Sequence, residues 1–207
     1  TCIVGVIGDD VEAVCKKAEK RYGVRVIPVK APGFSGTKSQ GYKLACNAIM
    51  ELVKRDPPNE KVKGVNVLGD FNLAGEMWII KSYLEKIGIK VISTVTGDAS
   101  YESLLKMPLA TLNIVQCAGS STYLANQLEQ TFGIPYIKVS FFGIEDTKSS
   151  IIRICEALDD ENALMKAKSF LISETIKAQA IIERYKPLLE GKKAAIFVGG
   201  GFKAISL

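Results

Sequence analysis

The feature that most constrains the fold of this chain is a regular alternation of short apolar runs with longer amphipathic segments. Four runs, at about residues 65–69, 90–94, 112–116 and 136–139, are rich in valine and isoleucine, and a longer segment follows each of them. Because crossover helices join the strands of a parallel sheet, this alternation is typical of βα units. We therefore predict an α/β fold in which helices flank a parallel sheet.

The same pattern extends toward both ends of the chain. It predicts buried strands at about residues 2–7, 24–29 and 193–198. The predicted helices cover about residues 10–21, 40–55, 73–86, 100–106, 120–131, 146–157 and 161–186. A strand needs a neighbour to bond its edge, and little precedes the first strand or follows the last one. We therefore expect the chain to be a piece of a longer protein.

Particular residues mark the ends of several predicted helices. Asp9 or Asp10 is expected to cap the first long helix, because a short polar side chain binds the free N–H groups of a first turn. Asp146 and Thr147 are expected to cap a later helix in the same way. Pro187 is expected to end the last long helix, since proline has no N–H to donate.

The composition excludes several classes of function. The chain has no histidine, so no Ser-His-Asp or Cys-His dyad and no histidine-ligated zinc or haem can form within it. The net charge of +5 is spread without a block of like charges, which gives no indication of a nucleic-acid or membrane partner. No apolar run approaches the roughly 18 residues of a membrane span, and no signal peptide is recognisable.

Five cysteines, at positions 2, 15, 46, 117 and 155, are scattered along the chain. An odd and widely spaced set argues against a disulfide framework and predicts a reducing, cytoplasmic environment. Cys15, Cys46 and Cys155 lie inside helical patterns among apolar neighbours, so we expect them to be packing residues.

Cys117 stands apart from the other thiols. It directly follows a predicted strand and precedes a predicted helix, where backbone N–H groups and the helix dipole favour a thiolate. Ligands of open parallel sheets bind at the carboxyl ends of strands. A thiolate there can be a nucleophile or a metal ligand. The structural alternative is a small buried residue in a βα turn.

Two other features of the same predicted edge admit both a functional and a structural interpretation. The glycine turn at 199–201 resembles a phosphate-binding turn, although its spacing does not match the dinucleotide fingerprint, and glycines also let a helix and a strand approach closely. Acidic side chains near this edge could form pairs of carboxylates or could cap helices. They are Asp70, Glu76, Asp98, Glu145 and Asp146.

Several segments together carry a resemblance to a known family. They are TCIVGVIGDD at 1–10, PGFSG at 32–36, GDFNLAGE at 69–76, LNIVQC at 112–117, GIPY at 133–136 and FGIEDT at 142–147. In this order and spacing the chain resembles the nitrogenase component 1 family over essentially its whole length. Within that family it is most similar to the α-like subunits of cofactor-assembly scaffolds.

The resemblance implies a protein of three α/β domains, with Rossmann-like parallel sheets and cofactor cavities between them. Residues 1–58 are then expected to be the end of the first domain, 59–188 the second domain, and 189–207 the first strand and turn of the third. The polar, proline-rich segment at 56–60 fits the first boundary, and residues 187–192 fit the second.

The cluster ligands of the family carry over to two matching positions. Cys2 matches a cysteine that binds an iron–sulfur cluster at the interface between α-type and β-type subunits. Cys117 matches the cysteine that binds the molybdenum cofactor or, in a scaffold, its iron–sulfur precursor. Soft thiolates suit such clusters, and glycine turns bring backbone N–H groups close to an anionic group. The glycine-rich segments implied to line the same cavity comprise Gly33, Phe34, Ser35, Gly36, Gly199 and Gly200.

Three positions depart from the catalytic members of the family. Tyr42 stands where a catalytic α-subunit has a histidine that hydrogen-bonds the cofactor. Gly119 and Ser35 each stand where such a subunit has an arginine. A site without those donors should not protonate a bound substrate well. The departures favour holding and maturing a precursor over reducing dinitrogen.

The resemblance therefore implies a non-catalytic scaffold subunit that binds and matures an iron–sulfur precursor of the iron–molybdenum cofactor. The implied partners are a β-type subunit in an α2β2 heterotetramer, the nitrogenase reductase (the iron protein), and proteins that donate and accept the cofactor. Neither cluster is expected intact on this chain alone. Two alternatives stay open, namely a catalytic α-subunit of a molybdenum or alternative nitrogenase, and a small-molecule-binding α/β module.

Overall fold

A four-stranded parallel sheet forms the centre of the protein in a computed structural model, which describes residues 3–54, 57–58 and 60–195. The strands are β1 (Val62–Asp70), β2 (Val91–Thr96), β3 (Ala110–Val115) and β4 (Tyr136–Lys138). They lie in the order β2-β1-β3-β4, and every neighbouring pair is parallel. The structure confirms the predicted α/β fold with a parallel sheet.

Helices precede the sheet and connect its strands. The described helices are α1 (Ile3–Val6), α2 (Val11–Tyr22), α3 (Lys38–Val53), α4 (Glu76–Lys86), α5 (Tyr101–Leu105), α6 (Ala118–Phe132), α7 (Gly143–Ala157) and α8 (Glu161–Leu189), with a 3-10 turn at Met107–Leu109. Within the part of the chain that the structure describes, no helix is both long enough and apolar enough to cross a membrane.

Each face of the sheet is covered by its own layer of helices. Buried residues of α4, α7 and α8 pack on one face, against Val65, Val67 and Ile114. Buried residues of α3 and α6 pack on the other face, against Leu68 and Val115. A central parallel strand is buried on both faces, which is why residues 64–70 of β1 are all buried and do not alternate between buried and exposed.

A polar pair lies in the middle of this apolar sheet. Asn66 Nδ2 donates to Asn113 Oδ1 at 2.9 Å and to the carbonyl of Met107 at 3.0 Å, and Asn113 Nδ2 donates to the carbonyl of Ile134 at 3.1 Å. Both asparagines are fully buried, and they face each other in the register of β1 and β3. A shifted register would leave buried amides without partners, so the pair specifies how β1 and β3 align.

The strand order creates a switch point at the carboxyl ends of β1 and β3. From β1 the chain passes through α4 to β2 on one side, and it returns to β3 on the other side of β1. In open α/β sheets a crevice forms where the strand order reverses in this way, and ligands bind there. This fold therefore offers a ligand site at the ends of β1 and β3.

Two strands predicted near the start of the chain are absent from the described residues. Residues 3–6 form the helix α1, with a bond from Ile7 N to the carbonyl of Ile3 at 3.1 Å, and residues 24–29 belong to no strand. In that second segment Val26 N donates to the carboxylate of Glu19 at 3.1 Å. An apolar run becomes a strand only beside an edge that bonds to it. The strand predictions are therefore wrong for residues 3–7 and 24–29, and residue 2 lies outside the described residues.

The predicted helices are present, but α7 begins earlier than expected. It starts at Gly143, so Asp146 lies within its first turn and is not its cap. Within the helix, Ser150 bonds the chain that precedes α7. Ser140 N donates to Ser150 Oγ at 2.9 Å, and Ser150 Oγ donates to the carbonyl of Ser140 at 2.8 Å. By contrast, Asp10 caps α2 as predicted, accepting from Ala13 N at 3.0 Å.

The last long helix runs through the proline that was expected to end it. Helix α8 continues to Leu189 with Pro187 inside its final turn. A proline so near the end of a helix removes only a bond close to the terminus, which the helix tolerates better than a loss in its middle. Residues 193–195 lie in no strand, and the remainder of the strand predicted at 193–198 lies outside the described residues.

Helix α3 precedes the boundary predicted at residue 58 and yet packs on the sheet. Cys46, Met50 and Val53 are buried in the layer that α3 shares with α6. The sheet thus depends on a helix from the segment 1–58 for part of its apolar cover. The division into 1–58, 59–188 and 189–207 stays a prediction.

Candidate functional site

Cys117 lies at the switch point, between the end of β3 and the start of α6. It is the N-cap residue of α6, with an extended backbone (φ −110°, ψ 95°) and no side-chain cap hydrogen bond. Its carbonyl accepts from Ser121 N at 3.0 Å and from Ser120 N at 3.3 Å. The first turn of the helix therefore holds the backbone of Cys117, while its thiol is half-buried.

Gly69 brings the end of β1 directly against Cys117. Its φ is +88°, and a Cβ at this position would lie 2.9 Å from both the Cβ and the N of Cys117 and 2.7 Å from Ser121 Oγ. A positive φ and the lack of space both require glycine. The residues just before Cys117 and Gly69 are also bonded to each other, since Gln116 N donates to the carbonyl of Leu68 at 2.9 Å. The two strand ends are thus joined where the thiol emerges.

Two buried hydroxyls lie in the first turn beside Cys117. Ser120 Oγ and Ser121 Oγ are 3.2 Å apart, and Ser120 Oγ donates to the carbonyl of Cys117 at 3.4 Å. Buried polar groups persist when they are paired in this way. The pair adds a second restraint on the backbone that carries the thiol.

Gly119 is the residue of this turn that borders open space. A Cβ built on it would meet no atom within 4 Å, and its φ is not positive. The first carbon of a side chain would fit there without displacing a neighbour. Packing among the described residues therefore does not require a glycine at position 119.

The predicted cavity loop at 33–36 lies directly before α3. Phe34 has a φ of +63° and a fully exposed ring. Ser35 Oγ donates to the carbonyl of Pro32 at 2.7 Å, so this hydroxyl already has an acceptor within the loop. A bulky residue in the left-handed region is uncommon, and backbone strain of this kind clusters at functional sites. The loop displays an aromatic side chain instead of burying it.

Tyr42 is half-buried on α3, the helix that follows this loop. Lys38 Nζ lies 5.6 Å from the centroid of the Tyr42 ring, within the range of a cation–π contact. Farther along, Tyr123 OH donates to Asn47 Oδ1 at 2.9 Å, which joins α3 to α6. The loop and Cys117 are thus linked through two packed helices. That the loop at 33–36 and Cys117 line one cavity stays a prediction.

The acidic side chains near the end of β1 bind backbone groups. Asp70 is buried, and its Oδ1 accepts from Asn72 N at 2.9 Å. The carboxylate of Glu76 accepts from Leu73 N at 3.2 Å and from Ala74 N at 2.7 Å. Both carboxylates therefore hold the turn between β1 and α4, as the structural interpretation expects.

The other predicted carboxylates lie beside lysines. Asp98 is 4.0 Å from Lys81 Nζ, and Glu145 is 3.0 Å from Lys148 Nζ. Among the residues that the structure describes, no three Cys, Asp or Glu side chains gather closely enough to hold a metal ion. These contacts favour stabilisation of turns and helices over general acid–base catalysis by a carboxylate pair.

Two of the three helical cysteines are packing residues, as predicted. Cys46 and Cys155 are buried, and burial raises the pKa of both thiols, that of Cys155 to about 11. Cys15 departs from the prediction, because α2 buries none of its residues and this thiol is half-exposed. Cys2 and the glycines Gly199 and Gly200 lie outside the described residues, so their predicted roles have no structural counterpart here.

Sequence reasoning did not single out Gln116 or Ser121 as site residues. Gln116 follows the last residue of β3, and its Oε1 is buried without a hydrogen-bond partner among the described residues. The signal available in the sequence was adjacency to Cys117. The contact of Ser121 with Gly69 depends on strand order, which no local pattern records.

The chain matches known proteins over its whole length. The family model described as "Nitrogenase component 1 type Oxidoreductase" matches residues 1–207. A similar relative is the "Nitrogenase iron-molybdenum cofactor biosynthesis protein NifE" of Clostridium pasteurianum, 59% identical over 207 residues, which are 100% of this chain and 45% of the relative. A protein of the same name from Methanosarcina barkeri is 42% identical over 219 residues, covering 100% of this chain and 47% of the relative.

A solved structure shows the same fold. The structure titled "Nitrogenase Cp1 at pH 5" superposes with a TM-score of 0.85 at 34% sequence identity, over 92% of this chain and 39% of that chain. The present chain spans less than half the length of each of these relatives. The resemblance inferred from the sequence is confirmed, and this chain belongs to the nitrogenase component 1 type oxidoreductase family.

Proposed function

We propose that this chain is the α-like subunit of a scaffold for the biosynthesis of the iron–molybdenum cofactor, where it binds and matures an iron–sulfur precursor. One observation carries the proposal. Cys117 presents a half-buried thiol at the switch point of the sheet, in a chain whose similar relatives are named for this biosynthesis. The precursor is the cargo of such a scaffold, and Cys117 is its proposed attachment point.

The residues around Cys117 fit the attachment of a cluster through one sulfur. A thiolate is a soft ligand that suits iron–sulfur clusters. The position at the N-terminus of α6 favours negative charge, because the positive end of the helix dipole lies there. Gly119 leaves open space in the first turn. Further ligands would come from outside the described residues, since no potential metal-binding group of three is present within them.

The protein holds this attachment point in place by several contacts. Gly69 abuts the backbone of Cys117, and Ser120 and Ser121 bond its carbonyl. A ligand held by packed neighbours needs no reordering when its cargo arrives, which is the advantage of a preorganised site. We therefore assign a positioning role to Gly69 and the serine pair.

The three departures from the catalytic pattern support a holding role. Tyr42 lies near Lys38, Ser35 donates its hydroxyl to a loop carbonyl, and Gly119 has no side chain. None of these positions offers the imidazole or guanidinium of a catalytic α-subunit. Substrate reduction needs donors aimed at the developing charge. We accordingly propose that the chain is not itself a catalyst.

The wider assembly is part of the proposal. Cys2 would contribute to a resident iron–sulfur cluster shared with a β-type subunit in an α2β2 heterotetramer. The iron protein would deliver electrons and metal, and donor and acceptor proteins would exchange the cofactor. The described cysteines are free thiols, which fits a reducing cytoplasm.

A pair of cysteine variants tests the attachment point. Cys117→Ala and Cys15→Ala are made in the full-length protein, expressed with its β-type partner, and compared by iron content and by absorbance and paramagnetic resonance spectra. We expect Cys117→Ala to lose the precursor, because it removes the proposed ligand. Cys15→Ala removes a half-exposed thiol of α2 and should load normally. Unchanged iron content and spectra in Cys117→Ala would refute the assignment.

A catalytic α-subunit is the second candidate, because a structure titled as a nitrogenase shares this fold at 34% identity. The two candidates differ in a measurable activity. Reduction of dinitrogen to ammonia by the full-length protein with its partner and the iron protein would decide for the catalyst. Transfer of a matured cofactor to a separate acceptor, without such reduction, would decide for the scaffold.

A further inference from the structure

The second half of α8 carries an apolar face that is exposed in the described part of the chain. In the first half of the helix the corresponding face is buried on the sheet, through Ala163, Ala167 and Leu171. At helical spacing this face continues along the second half as Ile181, Ile182, Tyr185, Leu188 and Leu189. The exposed fractions of these five side chains lie between 49% and 66%. One continuous stripe is therefore buried in its first part and exposed in its second.

Helix α8 extends past the sheet that its first half covers. Lys63 Nζ lies 3.1 Å from Asp160 Oδ2, so β1 and α8 begin at the same end of the sheet. At the opposite end, Ala178 lines one cavity together with Gln116, the residue that follows β3. The nine residues of β1 span about 30 Å and the 29 residues of α8 span about 43 Å. About the last nine residues of α8 therefore project beyond the carboxyl edge of the sheet, and all residues from 179 to 189 are exposed.

The projecting part of α8 is amphipathic. The side of the helix opposite the stripe carries polar and charged side chains, among them Gln179, Glu183, Arg184 and Lys186. A helix of this kind buries its apolar stripe against a partner and keeps its polar face in water. A contiguous apolar patch that stays exposed marks an interaction site. The stripe at 181–189 therefore has the character of a docking surface.

The turn after α8 directs the following chain back toward the helix. Lys192 N donates to the carbonyl of Leu189 at 3.0 Å, and between them Glu190 has a φ of −57° and a ψ of 131° and Gly191 has a φ of +73°. This bond and these angles define a type II turn, which reverses the direction of a chain. After the turn the sequence continues with the apolar run at 194–198. Because consecutive elements usually lie next to each other, the chain after the turn is well placed to contact the stripe.

The size of the stripe favours a segment of the same polypeptide over a separate molecule. Five large side chains, at about 100 Å² each, offer roughly 500 Å² of apolar surface. A stable complex between two proteins buries about 800 Å² on each partner. A segment of the same chain loses less freedom when it docks, so a smaller surface is sufficient. More than half of each of the two relatives named above lies outside the part that matches this chain, so a protein of that length has enough chain to cover α8.

We propose that, in the full-length protein, the chain from Lys193 onward packs on the exposed stripe of α8. The helix then supports two parts of the protein, since its first half covers the sheet and its second half holds the chain that follows. That chain is thereby fixed beside the carboxyl edge of the sheet, where Cys117 lies. The inference does not rest on the proposed scaffold function, because it uses the apolar face, the turn and the length of the relatives. Cluster loading plays no part in its test.

Two cysteine variants of the full-length protein, expressed with its β-type partner, measure whether the stripe is covered. Ile181 belongs to the stripe, and Ile176 is a matched control on the same helix. The two isoleucines are 60% and 62% exposed and lie about 140° apart around the helix axis. We expect iodoacetamide to alkylate the new thiol of Ile181→Cys at least about tenfold more slowly than that of Ile176→Cys, because a covered thiol reacts only after local opening. Equal rates, followed by peptide mass spectrometry, would contradict the proposal.

A photo-cross-linker identifies what covers the stripe. Tyr185 lies in the middle of the stripe, and its replacement by p-benzoylphenylalanine exchanges one aromatic side chain for another. After irradiation of the full-length complex, the product should keep the mass of one polypeptide, with the cross-link to a residue after Lys193. A product with the mass of two polypeptides would show that a second copy or another subunit covers the stripe. That result, a cross-link to residues before α8, or no cross-link at all would overturn the proposal.

Discussion

Replacing Gly69 with alanine tests the close approach of β1 to Cys117. Two costs arise in the folded state. The backbone at Gly69 has a φ of +88°, and the left-handed region costs an L residue about 1–2 kcal/mol. The new Cβ would also lie 2.9 Å from the N and Cβ of Cys117, and overpacking of this kind costs about 1–3 kcal/mol. We therefore expect the free energy of unfolding to fall by about 2–5 kcal/mol.

Two other glycines are matched controls for these costs. Gly133, after the last turn of α6, has a φ of +66°, and a Cβ there would meet nothing within 4 Å. Gly133→Ala should therefore cost only the backbone part, about 1–2 kcal/mol. Gly119 has neither a positive φ nor a close neighbour, so Gly119→Ala should be neutral or slightly stabilising.

Urea unfolding followed by circular dichroism measures these differences from the shift of the midpoint. A second readout is the rate at which iodoacetamide alkylates Cys117, followed by peptide mass spectrometry. That rate should change in Gly69→Ala and stay unchanged in Gly133→Ala, because only the first variant displaces the thiol. If Gly69→Ala costs no more than Gly133→Ala and leaves the alkylation rate unaltered, β1 does not approach Cys117 as closely as inferred.

Two further variants test how the sheet is held. Asp160 caps α8, and its pKa is lowered by a backbone N–H of that helix and by a lysine of β1. Asp160→Ala should cost about 1 kcal/mol at pH 7 in urea unfolding. Because the folded-state pKa is depressed, the contribution of the charge is complete above the ordinary aspartate pKa of about 3.9 and is lost as the pH falls through the lowered value. Asp160→Asn should keep the cap but lose this acid dependence, and an identical pH profile would contradict the assignment. Asn66→Leu removes the donor to Asn113 Oδ1 and should cost about 1–3 kcal/mol in the same assay, whereas a gain in stability would show that the buried pair is dispensable.

The central strands and most helices were predictable from the sequence because their signals are local. β1 is a run of consecutive buried residues, and α2 and α8 carry aspartate caps directly before their first turns. The placement of Cys117 was predictable for the same reason, since a strand, a turn and a helix follow one another within a few residues.

Patterns in consecutive residues gave wrong predictions where the local structure depends on contacts with residues far away in the chain. The runs at 3–7 and 24–29 resemble strands in composition, but no strand edge bonds to them in the described part of the chain. The bonds between Ser140 and Ser150, which join α7 to the chain before it, span ten residues. Such contacts have no pattern in consecutive residues.

The sequence by itself determined the class of fold, the family, and a thiol at the end of a strand. The order of the strands was decided by tertiary structure, and with it the pairing of Gly69 with Cys117 and the position of Gln116 beside a cavity. The physical reason lies in the range of the interactions. Hydrogen bonds and side-chain spacing within one element act over a few residues, whereas a binding site requires elements far apart in the chain to close on one another.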